Sequence, residues 1–389
     1  MKKRWEVCEK MIQHGIDSID DYKGWFTGKR LGLITSVSGV DKRLVSTIDI
    51  LREKFMLTAL YSPEHGVRGN VDAGGDVGAY VDPYTKIPVY SLYRKDSKRF
   101  TKEMLDRADT LVYDIQDLGV RYYTFISTMY YAMQECERYQ KELIILDRIN
   151  PLGDKAEGTL LREEYESFVG AYTLCMRYGL TIGELADMIY QEQGYHFELK
   201  VVPVQGWERN WMFPDTDGIW VMPSLGIPRF DTALLYPGTC LFEGTNLSEG
   251  RGTSAPFEII GAPFADGYKL AKHMNMKNLP GTIFSPAYFT PFSSKHQGTA
   301  CERVHIHITD RNAFCPVETG LQLLFAFRDY YPGEFAFLPP YQDGARSMIE
   351  LLFGSGKILD EGLQAEELLC GLARDSSKFY KRKSKFHRY

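Results

Sequence analysis

Four stretches of this chain gather side chains that move protons or hold anions. The first is Ser62-Pro63-Glu64-His65-Gly66. The second covers residues 114–124 and holds Asp117, Arg121 and Tyr123. The third is Asp147-Arg148-Ile149-Asn150-Pro151, with Glu157-Gly158 close behind. The fourth, residues 236–253, sets Glu243, Asn246, Glu249 and Arg251 among four glycines. Positioned carboxylates give and take protons. A guanidinium binds a carboxylate through two parallel hydrogen bonds, and glycine lets backbone approach a ligand closely. Taken alone, Asp117 reads as a helix cap, Asp147 as a turn former and the glycine-rich stretch as a flexible loop. Glu64 alone would be a turn residue paired with Arg68. Taken as a set, the four stretches read as a site.

The elements that must position these residues follow from the apolar pattern. Short apolar runs at 31–35, 56–61, 87–90, 110–114 and 143–147 read as strands. Helical patterns near 45–54, 101–108 and 125–139 lie between them. Continuous apolar strands alternating with helices predict a parallel sheet covered on both faces, an α/β, Rossmann-like, doubly wound layout. In such sheets ligands bind beyond the carboxyl ends of the strands, which is where the first three polar stretches fall. A helix near 182–193, a strand near 199–204 and a Pro/Gly-rich stretch at 221–237 follow. From about residue 262 the texture changes to an alternating strand at 304–308, a helix at 317–330 and a loop rich in Pro and aromatics. The expected division is a Rossmann-like domain over 1–261 and a smaller α+β domain over 262–389. The basic, aromatic residues 378–389 read as a solvated terminal segment with a few packed rings.

Composition removes several function classes. A net charge of −5 gives no electrostatic footprint for nucleic acid. No run of about 18 apolar residues exists, so no membrane span is expected. The basic start lacks a following apolar region; residues 6–14 read as an amphipathic helix rather than a signal peptide. Seven scattered cysteines without a Cys-x-x-Cys pair point to a reducing, cytoplasmic setting, or to an extracellular one if a leader was removed. Gly74-Gly75-Asp76-Val77-Gly78 is not a dinucleotide fingerprint, and neither a phosphate loop nor metal-ligand spacing is present. His305 and His307 read as a half-buried pair on one strand face. No cofactor and no metal are therefore expected. The 25 Tyr and 22 Phe suit a carbohydrate site, although most such rings belong to the core.

The polar stretches carry a resemblance. Residues 62–66, 114–124, Arg148 to Pro151 with Glu157-Gly158, and 234–253 resemble the signature blocks of the exo-β-N-acetylmuramidase family typified by NamZ. Thr290-Pro291-Phe292-Ser293-Ser294-Lys295-His296 and Thr309-Asp310-Arg311 are similar to its C-terminal blocks, so the likeness spans nearly the whole chain in order. The departures are Ser36 in place of Asn, Ile149 in place of Pro, Leu225-Gly226-Ile227-Pro228 in place of a Pro-Asn-containing run, and Arg229 in place of Thr. They bear on substrate preference more than on chemistry. The resemblance implies that the Rossmann-like domain is catalytic and the C-terminal domain auxiliary, with a cleft between them. It also implies release of terminal N-acetylmuramic acid from the non-reducing end of peptidoglycan-derived saccharides.

That reaction needs an acid for the leaving oxygen and a second group at the anomeric carbon. Glu64 is the expected acid: it follows an apolar strand, Pro63 fixes its turn, Gly66 lets the chain leave tightly, and His65 adjoins it. Asp117, Glu243 and Glu249 compete for the second role. Muramic acid carries a lactyl carboxylate, for which Arg251 and Arg121 are candidates; Arg148 belongs to the same binding set. Asn150, Asn246 and Tyr123 are candidates for bonds to hydroxyls or the N-acetyl group. Two rival readings remain at this level. A non-catalytic muropeptide-binding protein would not need Glu64, and a nucleotide-dependent Rossmann enzyme would need the missing fingerprint.

Overall fold

A computed structural model of the chain describes residues 11–69, 78–360 and 362–389. Residues 6–10 of the expected N-terminal helix, and Gly74-Gly75-Asp76-Val77, lie outside that set. Gln13, inside it, forms an antiparallel bridge with Gln205 rather than part of a helix.

Seven strands form the larger sheet: β1 (Arg30–Thr35), β2 (Met56–Ser62), β3 (Tyr80–Val81), β4 (Pro88–Ser91), β5 (Thr110–Asp114), β6 (Glu142–Leu146) and β7 (Leu199–Val202). Their order is β3-β4-β2-β1-β5-β6-β7. All pairings are parallel except that of β3 with β4. This is a doubly wound sheet whose direction of winding reverses between β1 and β5. Alternate side chains feed opposite faces. Leu111, Tyr113, Leu143 and Ile145 join one buried cluster, while Val112, Ile144 and Leu146 join the other. Helices α1 (Thr47–Lys54), α2 (Lys102–Leu105), α3 (Phe125–Tyr139) and α4 (Ile182–Gln193) cover these faces. Their starts carry sequence-coded caps: Ser46 accepts from the Ile48 amide and Thr181 from the Glu184 amide.

The stretch at 221–237 is not simply a loop. It runs into helix α5 (Phe230–Thr239) with Pro237 inside. Pro237 falls in the last turn, so its missing N–H removes one intrahelical bond near the end of the helix rather than in its middle. The glycine after it serves packing: a Cβ on Gly238 would lie 1.9 Å from the Pro316 carbonyl oxygen, so only glycine lets α5 cross the helix that begins there. A second sheet holds β8 (Ile259–Ala262), β9 (Thr282–Phe289) and β10 (Cys301–Ile308), antiparallel in the order β8-β10-β9. Pro286 is tolerated because β9 is an edge strand. Helices α6 (Gly267–Met276), α7 (Pro316–Tyr330), α8 (Met348–Phe353) and α9 (Ala365–Lys383) complete the chain. Buried residues of this sheet, including Ile260, Val304 and Ile306, share one cluster with the inner face of the large sheet. His305 and His307 lie with ring centroids 4.1 Å apart, both half-buried. No helix of the described residues is long and apolar enough to cross a membrane.

The solvated reading of residues 378–389 is corrected by the structure. Lys383 is completely buried and donates to the carbonyls of Asp154 and Gly179 at 2.7 Å each. Arg382 binds Glu192 and Arg388 binds Asp187. The Tyr389 hydroxyl donates to Asp147 at 2.7 Å and accepts from the Val204 amide at 2.9 Å. Three of the basic groups that suggested solvation, Arg382, Lys383 and Arg388, are thus matched by groups on the large-sheet domain, while Lys378, Lys381 and Lys385 stay exposed.

Candidate active site

Strand β2 ends on Ser62, and the chain turns at once through Pro63, Glu64, His65 and Gly66. The Gly66 amide donates to the Pro63 carbonyl at 3.3 Å, closing the turn. His65 has φ +72° and Gly66 φ +83°. Glycine adopts this left-handed region freely; His65 does so at a cost of about 1–2 kcal/mol, so backbone strain is stored next to the carboxylate. Glu64 is half-buried and accepts a 2.7 Å hydrogen bond from the Thr124 hydroxyl, at the residue that precedes α3. Tyr93, just past β4, also bonds to Glu64; burial and then that carboxylate push its hydroxyl up to about 12. The His65 ring meets Phe125 edge-on at 6.4 Å. Arg68 is not the partner of Glu64, because it is paired with Asp82 at 2.8 Å.

The other charged groups come from much later in the chain. After α5, a 3-10 turn over Cys240–Gly244 presents Glu243. One Glu243 oxygen accepts from Arg251 Nε at 2.8 Å and lies 2.7 Å from Nη2. Glu249 is 2 % exposed; its oxygens lie 2.7 Å from Lys295 Nζ and 3.6 Å from Arg251 Nε. Lys295 is fixed further by the carbonyls of Phe242 and Thr245. The Arg251 guanidinium sits 4.8 Å from the centre of the Phe257 ring. Burial alone would lower its pKa, but Glu243, with Tyr236 and Glu249, raises it instead. Gly226 gives it room: a Cβ there would stand 3.2 Å from Nη1.

Glu64, His65, Tyr123, Glu243, Glu249 and Arg251 thus line one cleft of about 710 Å³, the size range of small-molecule sites. Tyr93, Thr124 and Lys295 line it too and were not singled out from the sequence. The strand-end rule reaches Tyr93 once β4 is placed, and Lys295 sits in a block already noted for its family likeness. Thr124 closes the second polar stretch.

Five expected site residues are not brought to the cleft. Asp117 is buried, accepts from the Gly119 amide at 2.6 Å and from the Tyr178 hydroxyl, and is pushed up to about 7 by burial. Arg121 gives its Nη1 and Nη2 donors to the carbonyls of Thr159, Leu174 and Leu352 at 2.7–2.8 Å, leaving buried Nε without a partner among the described residues; burial lowers its pKa to about 10. Arg148 forms a buried pair with Asp114 at 2.6 and 2.9 Å. It borders a separate hollow of about 150 Å³ with Ser38 and Gln116. Asn150 ties the Leu180 carbonyl to the Leu152 amide. Asn246 clamps the Glu334 carbonyl at 2.7 Å and the Ala336 amide at 3.0 Å. Each is occupied by backbone or by a buried partner. Of the departures from the family pattern, Gly226 and Ile227 line the cleft, Ser36 bonds Ser38 and Arg229 pairs with Glu258.

Comparison with known proteins agrees with this layout. Residues 31–231 match the N-terminal part of exo-β-N-acetylmuramidase NamZ, and residues 234–389 match the C-terminal part. The chain is 44 % identical over 382 residues to the peptidoglycan β-N-acetylmuramidase NamZ of Bacillus subtilis strain 168, covering 96 % of this chain and 91 % of that protein. A crystal structure of a DUF1343 family protein from Bacteroides fragilis superimposes with a TM-score of 0.88 at 36 % identity, covering 98 % of this chain and 100 % of that one. A second such protein from the same organism gives 0.75 at 28 % identity, covering 97 % and 99 %.

Proposed function

This chain belongs to the NamZ family of exo-β-N-acetylmuramidases, and we propose from that premise that its cleft removes N-acetylmuramic acid from the non-reducing end of peptidoglycan fragments. It is a glycoside hydrolase rather than a non-catalytic binder. The observation that carries the reading is the meeting of Glu64 with Glu243, Glu249 and Arg251 in one cleft. Glu64, oriented by Thr124 and Tyr93, protonates the leaving oxygen. Glu243 serves the anomeric carbon: it is the more accessible of the two remaining carboxylates, at 26 % against 2 % for Glu249. Glu249 holds Lys295 and Arg251 in place. Arg251 takes the lactyl carboxylate, supported by its 31 % exposure and by an Nη1 with no hydrogen bond among the described residues. We also propose the two-domain division near residue 261; what supports it is the separate antiparallel sheet formed by β8, β9 and β10, although its first strand already starts at Ile259, so the boundary falls just ahead of that strand. The scattered cysteines support a reducing compartment as the place of work.

The experiment offers the enzyme a chromogenic β-glycoside of N-acetylmuramic acid and the matching glucosaminide. The muramic glycoside is expected to be cleaved and the glucosaminide to react about ten- to a hundredfold more slowly, the loss of one charge-assisted hydrogen-bonded contact of about 1.5–3 kcal/mol. Equal rates on both would exclude the Arg251 role. Tight binding without turnover of either would favour the non-catalytic reading.

A further inference from the structure

Exposed aromatic rings on this molecule differ in what stands beside them. Tyr341 is 91 % exposed and lines the cleft together with Leu338, Pro339 and Pro340. Its loop is firmly anchored. The Leu338 amide donates to the Gly244 carbonyl at 2.9 Å, Phe337 bridges Thr245, and Asn246 clamps Glu334 and Ala336. These anchors are the three residues directly after Glu243. Pro339 and Pro340 then restrict the chain up to Tyr341 by fixing φ. A large ring held almost fully in solvent by a stiff, pinned segment is poised to meet something flat and partly apolar.

We propose that Tyr341 is a platform for the sugar on the leaving side of the scissile bond, stacking against the C–H face of its pyranose ring. This rests on the exo-muramidase reading: an enzyme that removes the terminal sugar encloses that sugar and leaves the rest of the fragment at the mouth of its cleft. The ring supplies the apolar face and its hydroxyl a polar edge, which matches a pyranose with hydroxyls at its rim. The clamp made by Asn246 is then a positioning element. It touches no substrate and sets where the platform stands relative to Glu243.

The test compares wild type, Tyr341→Ala and Tyr341→Phe, with Tyr288→Ala as a control, since Tyr288 is 65 % exposed on β9 and does not line the cleft. Three substrates are used: the β-fluoride of N-acetylmuramic acid, whose leaving group is a single atom; a muramic-acid-terminated saccharide without peptide; and the same saccharide with a peptide stem. Tyr341→Ala is expected to lower kcat/KM on both saccharides about 3- to 10-fold, chiefly through KM, and to leave the fluoride within about twofold. Tyr341→Phe should retain most of the wild-type value, and Tyr288→Ala should change nothing. Equal losses on fluoride and saccharide, no loss on either, or a loss confined to the peptide-bearing fragment would each overturn the platform. Failure of the wild type on all three substrates would overturn the muramidase reading instead, and is told apart because fluoride turnover does not depend on Tyr341.

Discussion

The carboxyl edge of the large sheet carries two polar regions with opposite fates. One is the cleft around Glu64, Glu243 and Arg251, half-buried and open on one side. The other is a buried seam: Asp114 with Arg148, Asp117 with Tyr178, and Asp147 with Thr181, Gly183 and Tyr389. Both use charged side chains placed at or just after strand ends, Glu64 in the cleft and Asp114, Asp117 and Asp147 in the seam, but the cleft adds Glu243 and Arg251 from beyond α5. In the seam nearly every polar atom is met by protein, Asp117 Oδ1 excepted. Burial disfavours the ionised form of Asp117 and pushes Asp147 up to about 6. In the cleft the charges retain access to a ligand. A strand-end position therefore gathers polar groups, but what covers them decides whether the gathering is a site or a strut.

The sharpest way to test that distinction is to change one residue on each side. Glu64→Gln removes the proposed acid while keeping the shape. It is expected to lower kcat about 10²–10⁴-fold on poor leaving groups and less on good ones, with an unchanged melting temperature. Arg148→Met should do the reverse. It leaves Asp114 buried without its partner and is expected to cost about 3–5 kcal/mol of stability, while the protein that remains folded at low temperature keeps its kcat. Denaturant melts and steady-state kinetics on both variants settle the matter; a specific loss of kcat in a fully stable Arg148→Met protein would move Arg148 back into the site.

Much of this was legible in the chain. The apolar runs gave six of the large-sheet strands and the parallel layout. Glu64 was legible because Pro63 and Gly66 mark a fixed turn after an apolar strand. Three features were not, and each is a long-range matter. Pro237 and Gly238 look like breakers, yet Gly238 is there to let α5 approach α7. Asn246, among glycines and carboxylates, looks like a ligand contact, yet it holds a loop that returns some 90 residues later. Arg121 looks like an anion binder until the carbonyls of Thr159, Leu174 and Leu352 take its donors. Local sequence reports residue type and turn, whereas occupancy by distant backbone does not show in spacing.

A smaller effect sharpens the comparison through pH. Lys383 helps seal the seam, and burial lowers its pKa to about 8 from an ordinary 10.5. Folding therefore favours its neutral form. Below about pH 8 the buried lysine costs stability, and that cost is relieved as pH rises from about 8 to 10.5, where the unfolded chain still holds the proton. Over that window the wild type is expected to gain stability relative to Lys383→Met, on the order of 3 kcal/mol, read from denaturant melts at each pH. A difference that stays flat across the window would show that Lys383 is charged and fully compensated in the folded state.

Several bonds that join the early and late parts of the chain end on main chain rather than on side chains. Arg121 reaches the Leu352 carbonyl, Glu157 caps the Val317 amide, Tyr122 bonds the Pro237 carbonyl, and Lys383 returns to the carbonyls of Asp154 and Gly179. Main-chain acceptors and donors keep their chemistry whatever residue carries them. At these points the joint tolerates recombination: a crossover near residue 232 between two relatives that keep Arg121, Tyr122, Glu157 and Lys383 would preserve these contacts, whereas Arg382 with Glu192 and Arg388 with Asp187 need matched partners. It would also part Glu64 from Glu243, Arg251 and Lys295, so a shuffled enzyme would inherit its proposed proton donor from one parent and its proposed anion clamp from the other.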